Sequence, residues 1–367
     1  MPFNPNQLTV TAGLNRVIIV DLPGVALEAS VKGKSAYELL SAQALADYLQ
    51  ERAELLGLPA AHADALHLPI LFDCCFESND GNIRAAAEQV ARQFGRHLGY
   101  LILTLKRGDA VNRRARTNWD DTYWAYWASI HRVWLGGGLV SGHLGPRLLQ
   151  YAQATLVEAG IVDCTLHLSS YSSMLPLIGA ARCVPSESQA ALVFDFGGSH
   201  VKRGCAFYES GTLTTLRPFS TVSAQWSMAM HNLVGEARAL SERMITVMAE
   251  TWQAAQASGL TLAPVLVASL ACYIADGHPS DSGGVCTELH TMTNHLGRWL
   301  SQNVSDRLGR SVEIELVHDG TVAARTYAGE THAAVIMMGT ALGVGFPSSC
   351  EGLRPISSHF QVLDMQV

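Results

Sequence analysis

Two acids stand where apolar strands run out. Asp195 is next to last in the stretch ALVFDF, which runs into Gly197, Gly198 and Ser199; Asp319 follows VEIELVH and precedes GTVAARTYAGE. A carboxylate at a strand end suits a divalent cation such as Mg²⁺ held through water. Glycines let the backbone approach a ligand, and successive N–H groups can hold phosphate oxygens. Two more glycine turns follow apolar strands, Gly136-Gly137-Gly138 and Gly339-Thr340-Ala341-Leu342-Gly343-Val344-Gly345. Ser199 and Thr340 add hydroxyl donors. Asp319, near a helix N-terminus, stays ionised and suits a general base. The plain alternatives are ordinary hairpin glycines and an N-cap aspartate.

Other familiar chemistry is missing. Gly33-Lys34-Ser35 ends like a phosphate loop, but Glu28 stands where its first glycine belongs. Fourteen histidines include no H-E-x-x-H. The eight cysteines, at 74, 75, 164, 183, 205, 272, 286 and 350, form no C-x-x-C and no zinc-ribbon spacing. They read as buried thiols of a cytoplasmic protein. With 367 residues, 48% hydrophobic and 16% charged, the chain can bury a full core, in one large domain or two lobes. A net charge of -7 argues against nucleic acid or an anionic membrane as partner. No apolar run approaches the roughly 18–20 residues of a membrane span, and the N-terminus carries no secretory pattern.

Helical periodicity marks 36–56, 83–104, GPRLLQYAQATLVEAG, MLPLIGAARCV, 234–258 and 290–308. Short apolar strands lie between them, at RVWLG, CTLHLSS, 191–216, APVLVASLA, VEIELVH and HAAVIMM. Strands and helices alternate in both halves, so the expected class is α/β. Residues 106–121 read as a loop or insertion, with Asn118 or Asp120 capping the next helix. The stretch 108–127 carries Arg113, Arg114, Arg116, Trp119, Trp124 and Trp127. A nucleic-acid surface, a lid or oligomer contact, and a solvated loop before a Trp-packed helix are its three readings; the last accords best with the acidic charge.

Against this background DFGGSHVK resembles the phosphate-1 motif of the actin-like ATPase superfamily, and more narrowly the D-x-G-G-T signature of the ROK sugar kinases. VHDGTVAARTYAGE resembles their N-D-A-N-A-A segment, and MMGTALGVGF their phosphate-2 hairpin. VWLGGGLVSGHLGPRLLQYAQATL is similar to the family's adenosine-side strand and helix, SMLPLIGAARCV to its closing helix, and KGKSAYELLSAQAL to a sugar-contacting segment. In the family phosphate-1 opens the chain; here it comes late. Reading 190–367 and then 1–185 restores the family order, with 185–189 joining the old termini. The resemblance therefore implies a circularly permuted, two-lobed actin/hexokinase-like (ribonuclease H-like) fold. Its lobes would be 174–317, and 1–173 together with 318–367, with a cleft between them.

The same resemblance implies an ATP- and Mg²⁺-dependent carbohydrate kinase. Asp319 would be the base. Asp195 would organise Mg²⁺ through water. Gly197, Gly198, Ser199, Lys202, Gly339, Thr340 and Gly343 would meet the phosphates, and Gly136, Gly137 and Gly138 the adenosine. His318, Glu38, His359 and Asn294 are the candidates for the acceptor. The family's zinc cysteines are absent, so no structural zinc is expected. Its G-x-P-G sugar loop would fall at 267–271, which has neither Gly nor Pro. A small-molecule acceptor, a sugar by the resemblance, is the expected partner, without nucleic acid or membrane; a homodimer accords with the family. The alternatives are a non-catalytic sugar or nucleotide sensor and a kinase of a non-sugar acceptor.

Overall fold

A computed structural model describes residues 3–59, 68–185, 187–224, 233–281, 284 and 286–363. The protein is a mixed α/β structure whose sheets pack against helices. It folds as two compact units. The first comprises 1–4, 11–173 and 331–344; the second comprises 5–10, 174–330 and 345–367. The expected 174–317 lobe lies inside the second unit, which also takes in Asp319 and the segment from Gly345 onward.

In the first unit four strands lie in the order Leu342–Gly345, Ala333–Met338, Arg132–Gly136, Thr165–Leu168. The last three are parallel. Two helices pack together, Gly81–Arg107 and Leu144–Glu158. Their backbones approach at Gly95 and Gly99, where a methyl group would strike Leu148, Tyr151, Ala152 and Thr155. Asp80 caps the longer helix at its N-terminus, and Gly108, at φ 52°, closes it.

The segment 36–56 is not one helix but three, Ala36–Leu40, Ala42–Gln50 and Ala53–Leu56. Ser35 and Ser41 each start one, their hydroxyls accepting backbone N–H groups three residues on. The expected loop at 106–121 contains a helix, Ala110–Ala115, and Asp120 caps the next one, Asp121–Ala128. Trp119, Trp124 and Trp127 are buried. Arg116 donates to the carbonyls of Thr11 and Gly13, and Arg113 to that of Gly108 and to Asp121. These side chains therefore build the first unit's core and hold its N-terminal stretch.

The second unit is built on a seven-stranded mixed sheet. Its order is Glu313–His318, Val265–Leu270, Ala190–Phe196, His200–Glu209, Thr212–Pro218, Ile356–Val362, with Val222–Ser223 beside His200–Glu209. The first three strands are parallel. Alternation along them sends Phe194, Phe196, Ala268 and Leu270 into one core with Met244, Met248, Trp252 and Leu300 from the helices Leu233–Ala257 and Leu296–Leu308. Asp195 and Ser269 therefore face the opposite side. There the helices Leu175–Cys183 and Asp319–Arg325 pack on each other.

The stretch after the Leu175–Cys183 helix is tied down by arginines. Arg354 donates to the carbonyls of Pro185 and Ser188, and Arg182 to that of Arg354.

Candidate functional site

Three parallel strands end side by side, and their last residues carry the second unit's polar cluster. In open α/β sheets such carboxyl ends are where ligands bind. Asp195 is only 3% exposed. Its Oδ1 accepts the Ser269 hydroxyl at 2.8 Å, and its Oδ2 pairs with the Lys202 ammonium at 2.9 Å. Register explains both contacts. Ser269 stands opposite Asp195 in the parallel pair, and Lys202 opposite it in the antiparallel pair. The hairpin between Asp195 and Lys202 is the Gly197-Gly198-Ser199 turn, closed by the Gly197 N–H donating to the His200 carbonyl.

Asp319 is the first residue of its helix. Two glycines let that helix sit close: a methyl at 179 would strike the Val322 carbonyl, and one at 345 the Gly320 carbonyl. About a quarter of the Asp319 side chain is exposed, so the carboxylate is held but reachable. Burial, then the nearby Asp195 charge, pushes its pKa up to about 7; the Gly320 N–H and Lys202 pull the other way, more weakly.

His318 caps the same helix. Its Nδ1 accepts the Thr321 N–H at 3.2 Å and lies 2.9 Å from the Thr321 hydroxyl. Its Nε2 lies 3.2 Å from Asp319 Oδ1. The ring stacks on Tyr273, with centroids 4.2 Å apart and planes 19° apart. Burial drives the His318 pKa down to about 3, so the contact with Asp319 joins a neutral ring to a carboxylate and is not an ion pair.

The structure thus gathers Asp195, Lys202, His318 and Asp319, together with Ser269, Tyr273 and Thr321. Sequence reading missed the last three. Ser269 and Tyr273 enter through strand register and ring packing, which leave no local signature; Thr321 enters because His318, and not the expected Asp319, is the helix N-cap.

The remaining candidates lie elsewhere or do other work. The expected sugar loop at 267–271 is largely strand, Val265–Leu270. Asn294 is exposed, just before His295, whose Nδ1 accepts the Arg298 N–H and caps the helix Leu296–Leu308. His359 is exposed on the Ile356–Val362 strand. Glu38, in the first unit, closes a capping box: Oε2 accepts the Ser35 N–H and hydroxyl, and Oε1 meets Lys34. Those hydrogen bonds lower its pKa to about 2.

In the first unit Gly137 takes φ 99°, and a methyl there would strike Met338. At Gly138 a methyl would meet nothing within 4 Å, and at Gly339 only the Ala341 carbonyl, at 4.0 Å. Asn15 holds the second glycine hairpin as a strand would: its side chain donates to the Leu342 carbonyl and accepts the Leu342 N–H. Gly343 lies on the strand so held, and Thr340 in the turn before it is half-buried.

No protein-family model matches this chain, and no curated protein does. Among the described residues no helix is long and apolar enough to cross a membrane.

Proposed function

We propose that the protein is an ATP-dependent kinase that transfers the γ-phosphoryl group to a hydroxyl of a small acceptor, on a circularly permuted actin/hexokinase-like fold. The observation that carries this reading is the pair of acids at the ends of parallel strands: Asp195, buried and charge-compensated, and Asp319, exposed by a quarter with its pKa near 7. A base of that pKa is about half ionised at neutral pH and basic enough to take a hydroxyl proton in the transition state. In the proposed step, Asp319 accepts the proton of the acceptor hydroxyl. The oxygen's electron pair attacks the γ-phosphorus, and the bond to the bridging oxygen breaks, leaving with ADP.

The donor set fits Mg²⁺ held through water. Asp195 has about four lone-pair sites, and the Ser269 and Lys202 bonds use two of them. Among the described residues no group of three His, Cys, Asp or Glu could ligate a metal directly. When bound, the ion would neutralise phosphate charge; Asp195 would orient its waters, and Lys202 would add a tethered cation.

A second reading, a sensor or a kinase of a non-sugar acceptor, draws on the fate of the sugar candidates. Glu38 serves a capping box, and Asn294 and His359 are exposed, with the expected sugar loop largely strand. The test is ADP release with Mg-ATP across hexoses, N-acetylhexosamines and polyols, with Asp319→Asn as control. An acceptor-dependent rate lost in the control supports the kinase. Nucleotide binding without release for any acceptor favours the sensor.

A further inference from the structure

The four-stranded sheet of the first unit brings two histidines together at the end opposite its glycine turns. His131 and His332 stand immediately before the parallel strands Arg132–Gly136 and Ala333–Met338. Those strands are neighbours, with Arg132 beside Ala333, so the two histidines are level with each other. Their ring centroids lie 5.6 Å apart, with the planes 56° apart. Each ring is fixed by a backbone carbonyl. His131 Nδ1 lies 3.0 Å from the Asp163 carbonyl, and His332 Nδ1 lies 3.1 Å from that of Ser129. A carbonyl can only accept, so Nδ1 is the donor in both. In the neutral ring the one proton therefore sits on Nδ1, and Nε2 carries a lone pair. Both residues are exposed, and among the described residues neither Nε2 has a hydrogen-bond partner.

A carbonyl on one ring nitrogen and a bare lone pair on the other is how metal-bound histidines are held. Two imidazoles bound through Nε2 to one tetrahedral ion, at about 2.1 Å, have centroids about 5 Å apart. A small turn of either ring brings the observed pair to that separation. The Asp163 carboxylate, 3.3 Å from His131 Nδ1, adds negative charge beside the pair. It also meets Lys106, so it stands behind the ring and is not offered as a ligand.

We infer that His131 and His332 form a surface site for one divalent transition-metal ion, Zn²⁺ or its neighbours Ni²⁺ and Cu²⁺, with water completing the coordination. Two imidazole nitrogens select this class over Mg²⁺ and Ca²⁺, which take oxygen ligands. Among the described residues no group of three His, Cys, Asp or Glu could hold an ion. The protein thus supplies two ligands, and the ion is exchangeable, unlike one in a closed four-ligand site. The site is made of histidines and is separate from the cysteine motif whose absence argued against a structural zinc. Bound there, the ion would tie the start of one strand to the start of its neighbour and add its binding free energy to the stability of the first unit.

The test uses the full, untagged chain and Zn²⁺ alone at about pH 7.5, where unperturbed imidazoles are mostly neutral. His131→Asn and His332→Asn keep an N–H for each carbonyl but lack Nε2, and asparagine tolerates the φ of 53° found at 332. By calorimetry the wild type should take up one Zn²⁺ that each single variant binds at least about tenfold more weakly. The double variant should lose that same equivalent and no other. Thermal unfolding should show a Zn²⁺-dependent rise in Tm that both single variants lack. In ¹⁵N-histidine spectra of the wild type, the Nε2 signals of His131 and His332, identified with His131→Gln and His332→Gln, should shift together as Zn²⁺ is added. No uptake by the wild type, uptake unchanged in either Asn variant, or a second equivalent lost in the double variant would each overturn the site. So would Nε2 signals of these two residues that ignore Zn²⁺, a result that does not depend on the Asn variants folding.

Discussion

The Lys202 ammonium lies 2.9 Å from Asp195 Oδ2, directly across the register of two antiparallel strands. Ser269 holds the other oxygen from the parallel strand on the opposite flank. Asp195 is thereby compensated from both sides. Asp319 is not compensated to the same degree: burial and the Asp195 charge outweigh Lys202 in setting its pKa. The two acids, at the ends of strands on either side of Val265–Leu270, thus sit in different electrostatic surroundings.

Activity should follow the titration of Asp319. Its pKa is raised to about 7, and as the base of the proposed transfer it would work only when deprotonated. The rate should thus level off above about pH 8 and approach a tenfold fall per unit below about pH 6. A profile of kcat/KM with acid limb near 4 would show an unperturbed carboxylate and remove Asp319 from this role. Asp319→Asn should keep ATP binding and lose about a hundredfold or more in turnover.

The same substitution should stabilise the fold. A carboxyl whose folded pKa exceeds its unfolded value of 3.8 favours the folded state fully below about pH 4, and that stability is lost as pH rises through 7. Asp319→Asn removes the cost of the buried charge, about 2 kcal/mol at pH 8 after allowing for the part that water screens. Thermal unfolding should give the variant the higher Tm at pH 8, with the gap closing toward pH 4. An equal Tm at both pH values would contradict the burial of this charge.

Breaking the Asp195 pair should be costly. Lys202→Met strands a carboxylate whose side chain is 4% exposed, and should destabilise by about 3 kcal/mol in urea unfolding. Adding Asp195→Asn should return most of it. A single-variant loss below about 1 kcal/mol would mean that water screens the pair.

The acids were legible in the sequence because each ends an apolar run and is followed by a glycine turn or a helix start. Strand and helix order was legible for the same periodic reasons. Ser269 was not, because its role is set by which strand lies beside Asp195, a fact of register and not of local pattern. Glu38 shows the converse. Ser35-x-x-Glu38 is a capping-box spacing, and its local hydrogen bonds account for the glutamate without any ligand. The Trp-packed helix expected at the end of 108–127 is present as Asp121–Ala128, with Trp124 and Trp127 buried, and Trp119 before it is buried as well.

Gly179→Ala tests how closely the Asp319 helix is seated. The added methyl meets the Val322 carbonyl, so the helices must move apart. A loss of about 3 kcal/mol in stability is expected, by chemical denaturation. Wild-type stability would mean that the contact relaxes freely.

That seating has a consequence for rate as well. The helix beginning at Asp319 rests on bare backbone at Gly179 and Gly345, with no side chain to act as a cushion. Its carboxylate has almost no slack relative to the sheet. If Asp319 is the proton acceptor of the proposed transfer, such a mounting leaves little reorganisation to be done when charge shifts toward the phosphorus. The alignment is supplied when the chain folds and does not have to be found anew at each encounter with a substrate.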